Sequence, residues 1–228
     1  MSLDWNNRDI VNEYARSSTD PSKHWYESEV NIPSILELLG DKGRKVLDFG
    51  CGPGDLTARL AKDFNAFGAD SSELMVEQAR QGYPSIEFFV WDGSEPLPTN
   101  VTAFDSIVSK LTIEFVSDLA EVAINLHRAL VKGGSLIISV AHPMLVAYHN
   151  PDDPYWEEST NQTQIGTTGV VVTKIQRSLQ DYINPFLEAG FTIARIDEPE
   201  IPPSVIERYD VKPLDRQIPK RLNVKFIA

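Results

Sequence analysis

The residues best suited to chemistry stand close together in "VLDFGCGPGDLT", Val46 to Thr57. Gly50, Gly52 and Gly54 alternate between an apolar run, Lys45–Phe49, and a helix-like run, Asp55–Asp63. Glycine costs backbone entropy wherever it sits, so three in five residues imply that something must pass close to the chain. A strand that enters a helix through glycines turns its amide groups toward a ligand at the strand's carboxyl end. Spacing narrows the ligand. A phosphate-binding P-loop needs Lys-Ser/Thr after its last glycine, where this chain has Asp55-Leu56. The dinucleotide fingerprint needs a sixth-position glycine; counted from Gly50 that position is Asp55, whose charge would repel a pyrophosphate. An ordinary glycine-rich turn is the remaining bland reading.

Further groups able to bind or move protons follow at strand ends. Asp70, in "FGADSS" beside Ser71, lies where an acid can accept from both ribose hydroxyls, or else cap a helix. Asp92 and Gly93 follow "FFVW", Lys110 follows "FDSIVS", Glu114 lies in "LTIEFV" and His142 in "SVAHP". His142 reads as a general base or as a structural imidazole beside Pro143. Glu114 reads as a base, a binder of a substrate cation or a surface carboxylate. His149, Tyr155 and Trp156 stand in a polar and aromatic stretch that could shape a substrate pocket. The single cysteine, Cys51, excludes an internal disulfide framework and fits a reducing cytoplasm.

Asp48-x-Gly50-x-Gly52-x-Gly54 resembles motif I of the class I S-adenosylmethionine-dependent methyltransferases, small-molecule and type 11-like. The resemblance is strong from Lys45 to Pro143 and looser over Ser178–Gly190. Over Met144–Gly169 it is absent in detail. It implies S-adenosyl-L-methionine as cofactor and S-adenosyl-L-homocysteine as product. By it, Asp48, Gly50, Cys51, Gly52 and Gly54 surround the amino-acid end, with the glycines making room for the homocysteine portion. Lys110 stands at that same end, while Asp70 and Ser71 serve the ribose. Met75 lines the adenine, and Asp92 beside Gly93 accepts from the adenine amino group. Tyr14 and Tyr26 would belong to an N-terminal lid that closes over the cofactor, or to core packing. The chain departs from the family in carrying Glu114 where many relatives have histidine. No metal is expected, because Lys110 and Ala141-His142 stand where the metal-dependent relatives carry carboxylates and an Asp-Asn pair. The Pro-Pro-aromatic motif of base-directed relatives is missing after the fourth strand.

These residues need a frame that brings strand ends together. Short apolar runs at Lys45–Phe49, Ala66–Asp70, Ile86–Trp91, Phe104–Ser109 and Ser135–Ala141 alternate with helical patterns at Asp55–Asp63, Ser72–Arg80 and Ser117–Leu130. "KGG" serves as the stop of the third helix, and Ser71 or Ser72 caps the second. Such alternation predicts βαβ units and a parallel sheet. "VVVTKIQ" predicts a strand, Ser178–Ala189 a helix, and "FTIARI" and "NVKFIA" two more strands. With the resemblance, the expected fold is α/β: a Rossmann-like, seven-stranded, mostly parallel sheet with helices on both faces, the last strand antiparallel, and a cover inserted after the fifth strand. The expected divisions are a helical lid (1–40), a cofactor-binding core (41–141), a substrate cover (142–177) and the rest of the α/β domain (178–228).

The 228 residues carry a formal charge of −12, which disfavours phosphate backbones as partners. The most basic stretch, Val211–Lys225, reads as a solvated turn leading into a strand. No apolar run reaches membrane-spanning length and "MSLDWNNRDI" lacks the pattern of a secretory signal, so a cytoplasmic location is expected. The expected partner is a small-molecule substrate, without nucleic acid or membrane; a homodimer is compatible with such a domain. The function implied is methyl transfer to an oxygen or nitrogen of a metabolite. Two alternatives stay open: a non-catalytic cofactor-binding subunit, and a same-fold enzyme using the cofactor for other chemistry.

Overall fold

The computed structural model describes residues 3–18, 24–41, 43–98, 101, 103–150, 152, 154–164, 171–213 and 216–228. Helix α1 (Arg8–Ser18) comes first, and a π-helical turn (Glu27–Asn31) then runs directly into α2 (Ile32–Leu39). Strand and helix next alternate as predicted: β1 (Lys45–Phe49), α3 (Asp55–Leu60), β2 (Asn65–Asp70), α4 (Glu73–Gly82), β3 (Glu87–Val90), β4 (Phe104–Lys110), α5 (Leu119–Ala129) and β5 (Leu130–Ala141). After β5 come α6 (Pro143–His149), β6 (Ser159–Gln164), β7 (Val171–Gln176), α7 (Leu179–Glu188), β8 (Thr192–Asp197), α8 (Pro203–Arg208) and β9 (Arg221–Ile227).

Seven strands form one sheet in the order β3-β2-β1-β4-β5-β9-β8. β9 runs antiparallel to both of its neighbours, and the β1–β5 pairings are parallel. This is the predicted Rossmann-like arrangement. The strands read as continuous apolar runs because both faces are covered. Leu47, Ile107, Leu136 and Ile138 join the core beneath α5 and α7, while their neighbours Val46, Val108 and Ile137 join the core beneath α2 and α3. Side chains alternate between faces with a period of two, so each strand feeds both cores. The chain order reverses between β1 and β4, and that crevice is where open α/β sheets take ligands.

Local signals explain the boundaries around the crevice. Ser72 caps α4, its hydroxyl accepting from the Met75 amide at 3.2 Å. α7 opens with a capping box between Ser178 and Asp181 and continues to Glu188 past its internal Pro185, which lacks the amide for one helical hydrogen bond. Several expectations are corrected. Helix α5 ends at Ala129, and "KGG" lies inside β5; Gly133 and Gly134 exchange backbone hydrogen bonds of 2.9 Å with Ala228, so these glycines clamp the end of β9 and stop no helix. "HP" starts α6, with Pro143 at its first position, and "IPP" leads into α8 in the same way. Within the expected cover, "STNQTQ" is a strand. β6 has no apolar alternation to announce it, and its partner β7 supplies the ladder of a separate two-stranded ribbon. Residues 165–170 of that cover, including the first valine of the expected strand, lie outside the described residues. Among the described residues no helix is long and apolar enough to cross a membrane.

Candidate functional site

The turn after β1 opens into a hollow of about 440 Å³ at the carboxyl edge of β1, β2 and β4. Its floor is Gly50 and Gly52, with Asp70 and Lys110 on its sides, and Trp5 and Tyr14 reach over it from the N-terminal segment. A second hollow of about 870 Å³ adjoins it and shares Gly50, Gly52, Tyr14 and Lys110. That hollow also carries His24, Glu27, Asp48 and Arg59.

The three glycines answer to different neighbours. All have positive φ, +79° at Gly50, +54° at Gly52 and +92° at Gly54, a region that disfavours side chains. A β-carbon on Gly50 would collide with Thr112, and one on Gly54 would lie 3.0 Å from Phe88 and 3.1 Å from Ala79. Only at Gly52 does the added carbon meet open space, with Tyr14 at 3.8 Å. The expectation that all three make room for a ligand is therefore corrected: Gly50 and Gly54 make room for the protein's own packing, and Gly52 leaves the floor of the hollow open.

Asp70 is tied into this turn. Its Oδ2 accepts from the Gly52 amide and its Oδ1 from the Ser72 amide, both at 2.9 Å. Each carboxylate oxygen keeps a second lone pair for a ligand. Burial raises the Asp70 pKa, and the amides of Ser72, Gly52 and Ser71 hold it back. Glu27 is the hub of a partly buried charge network: it takes Arg221 Nη2 at 2.6 Å, Asn31 Nδ2 at 2.8 Å and Lys110 Nζ at 3.8 Å. Burial alone would raise the Glu27 pKa, but Arg221 and Lys110 pull it down to about 2. Burial likewise opposes the Lys110 ammonium, and Glu27 overrides it, so the Lys110 pKa stands above its ordinary value. The π-helical turn that presents Glu27 is anchored by Asn31, which bonds Ser139 on β5 and Asn223 on β9 at 3.1 Å each.

Asp48 is 1% exposed and accepts from Thr57 Oγ1 at 2.7 Å. Burial pushes its carboxyl from 3.8 up to about 6, against the Thr57 hydroxyl and Lys110 and with the help of Asp70. A raised carboxyl pKa means that the folded protein holds a proton the unfolded chain has lost, so stability falls as pH rises from about 4 through about 6. The shift from 3.8 to about 6 corresponds to at most roughly 3 kcal/mol. Asp48→Asn, which keeps the Thr57 acceptor, is expected to match the wild type near pH 4 and to exceed its stability by up to about 3 kcal/mol above pH 7 in urea titrations. Equal curves at both pH values would show that the carboxyl is not strained by burial.

The other expected residues are spread more widely. Ser71 and Met75 do line the first hollow, Met75 almost wholly buried. Cys51 is buried, its thiol pushed well up by burial and by Asp48 and Asp70, and lines the second hollow. Asp92 is exposed, and its Oδ1 takes the amide and hydroxyl of Ser94; Gly93 is packed against Phe49 and Val122. Neither lines the hollows at the glycines. Tyr26 points away from them, donating to Pro199 O at 3.1 Å inside an apolar cluster with Ile201 and Val205. His142 caps α6 through Nδ1 and pairs through Nε2 with Glu198 at 2.7 Å.

Glu114 is 2% exposed, which corrects the surface reading. Its Oε1 accepts from the Ala141 amide at 2.9 Å, and its Oε2 meets Lys174 Nζ at 3.2 Å. Glu114 and His149 line a separate cavity of about 800 Å³ beneath the β6–β7 ribbon. Tyr155 accepts from the Leu179 amide at 3.0 Å, and Trp156 is 74% exposed. Trp5, Glu27, Thr112, Phe115, Lys174 and Arg177 escaped the sequence reading, since each belongs to a site only through contacts between distant segments. Among the described residues no group of three or more His, Cys, Asp or Glu is placed to hold a metal ion.

Residues 46–134 match the family model described as a methyltransferase domain. The chain is 30% identical over 141 residues to trans-aconitate 2-methyltransferase of Variovorax paradoxus, covering 60% of this chain and 50% of that protein. It is 29% identical over 134 residues to malonyl-[acyl-carrier protein] O-methyltransferase of Pseudescherichia vulneris, covering 58% and 53%. The chain thus spans about half the length of these curated relatives. The crystal structure of an S-adenosylmethionine dependent methyltransferase from Mesorhizobium loti superposes with a TM-score of 0.69 at 24% identity, covering 86% of this chain and 96% of that one.

Proposed function

We propose that the protein, whose residues 46–134 match a methyltransferase domain, is of the class I kind, binds S-adenosylmethionine across the two hollows at Gly52 and transfers its methyl group to an oxygen or nitrogen of a small metabolite. The observation that carries this reading is the grip on Asp70. Two backbone amides hold the carboxylate at the rim while one lone pair on each oxygen stays free, which suits the paired hydroxyls of a ribose.

The other residues fit the same molecule. Gly52 leaves its floor open, and Trp5, Met75 and Phe115 supply apolar walls for a base. The second hollow offers Glu27 and Asp48 to an ammonium group and Lys110 to a carboxylate. His24 Nε2 lies buried there with no partner among the described residues, as expected of a polar atom whose acceptor belongs to a ligand. Asp92, exposed and engaged with Ser94, stands apart from this set.

When bound, the cofactor supplies a methyl group already activated by the positive charge on sulfur. What the chain must add is position and dryness. Asp70 fixes the nucleoside end and the Glu27–Lys110 pair the amino-acid end. Trp5 and Tyr14, packed edge to face at 5.2 Å, screen the hollow from water. The relative named as an O-methyltransferase supports oxygen as the target atom.

Isothermal titration with S-adenosylmethionine and with S-adenosylhomocysteine tests the reading. Micromolar binding of both is expected, and no heat from either at millimolar concentration would end it.

A further inference from the structure

The family match ends at residue 134, before the β6–β7 ribbon begins, so it says nothing of the cavity beneath that ribbon. We propose that this cavity holds the methyl acceptor and that the acceptor is an uncharged, largely apolar metabolite bearing a hydroxyl group. The proposal rests on the methyl-transfer reading above for the identity of the ligand as acceptor, and on the cavity alone for its chemistry.

Position comes first. Ala141 ends β5 and Glu114 follows β4, so the cavity opens on the same carboxyl edge of the sheet as the glycine turn. Glu114 lines the cavity and the adjacent Phe115 lines the hollow at Gly52, so the two spaces meet at this short turn. Lys174 reaches both residues: it pairs with Glu114 and lies 5.5 Å from the centre of the Phe115 ring.

The charge balance then limits what can enter. Glu114 is already matched by Lys174 and the Ala141 amide. Arg177, 3% exposed, donates to the carbonyls of Ile113, Val116 and Ser117 and pairs with Glu158 at 2.8 Å. Each buried charge around the cavity thus has its counter-charge within the protein. A ligand with a net charge would enter as an unpaired ion, which is strongly unfavourable in a desolvated site. Pro143, Leu145, Val146 and Ile175 complete the walls and favour an apolar body.

Among the described residues that line the cavity, one buried polar atom stays unanswered. Gln176 is 6% exposed; its Oε1 accepts from Asn161 Nδ2 at 2.8 Å, and its Nε2 has no partner among the described residues. Gln176 stands two residues from Lys174 on β7, so both point to the same side of the ribbon. If both amides are turned over, the orphan becomes an oxygen in place of a nitrogen. A hydroxyl satisfies either arrangement, since it can accept or donate. A lone carbonyl or an ammonium satisfies only one.

Binding of phenol, benzoate and benzylamine to the full chain, followed by ligand-observed NMR, tests the proposal with probes of similar size and different charge. Phenol is expected to bind at least about tenfold more tightly than either ion. Gln176→Leu is expected to weaken phenol about fivefold, the worth of one neutral hydrogen bond, while the titration with S-adenosylhomocysteine is unchanged. Tighter binding of benzoate or benzylamine, binding of none of the three at millimolar concentration, or phenol binding indifferent to Gln176→Leu each overturns it. The charge preference is read on the unmutated protein, so it holds even if the variant folds poorly. Failure to bind S-adenosylhomocysteine would instead strike the methyl-transfer reading and leave the phenol comparison intact as a separate result.

Discussion

Asp70→Ala is expected to weaken S-adenosylmethionine binding by roughly two to four orders of magnitude. The carboxylate offers two free lone pairs to ribose hydroxyls, and a hydrogen bond to a charged group is worth about 1.5–3 kcal/mol. Two such bonds give roughly 3–6 kcal/mol, at 1.4 kcal/mol per tenfold. The same substitution removes the acceptor of the Gly52 and Ser72 amides and so loosens the turn itself. Asp70→Asn separates the two effects. It keeps one acceptor for a backbone amide and loses the charge, so its affinity should fall between the other two proteins. Isothermal titration reads both, and an Asp70→Ala affinity within about threefold of the wild type would place the nucleoside elsewhere.

Arg177→Met is expected to cost about 4 kcal/mol of stability. The guanidinium lies buried and bonds three carbonyls of the segment Ile113–Ser117 together with the Glu158 carboxylate. Removing it leaves the Val116 and Ser117 carbonyls without this donor and takes one of two donors from Ile113, which keeps the Val116 amide, while the half-exposed Glu158 returns to water; each buried acceptor left unpaired costs about 1–3 kcal/mol. For a chain of this length each kcal/mol moves the melting temperature by about 2–4 °C, so a drop of roughly 8–16 °C is expected in thermal unfolding followed by circular dichroism. Arg177→Lys should not restore it, because one ammonium cannot reach donors' positions set by a planar fork. A lysine variant as stable as the wild type would show that charge alone, without geometry, holds the turn carrying Glu114 and Phe115.

Both predictions turn on residues of unequal legibility. Asp70 could be read in the chain because its position, at a strand end before a capped helix, is a local fact. Arg177 could not, since nothing in "KIQRSLQ" signals that its side chain reaches back some sixty residues to clamp another turn. Glu27 is similar: its importance comes from Lys110 on β4 and Arg221 on β9, which only the closed sheet brings to it. The glycines show a subtler difference. Their spacing marked a turn that opens into a hollow at the carboxyl edge of the sheet, yet the neighbours that forbid side chains at Gly50 and Gly54 are Thr112, Phe88 and Ala79, from later elements. Likewise His142 and Glu114 carry the right chemistry for catalysis, and the fold commits them to Glu198, Lys174 and the Ala141 amide.

The family resemblance supplied the seven-stranded sheet with its antiparallel last strand; by itself the chain determined the alternation of strands and helices and the glycine-rich turn after the first strand. Those features depend on local periodicity, caps and backbone freedom, which are written in neighbouring residues. Tertiary structure alone decided which polar groups stay free: Asp70 with lone pairs to spare, Gln176 with an unanswered amide, and most other candidates already partnered. Whether a side chain can serve a ligand depends on what the rest of the fold has left it to bond, and that is a property of distant contacts.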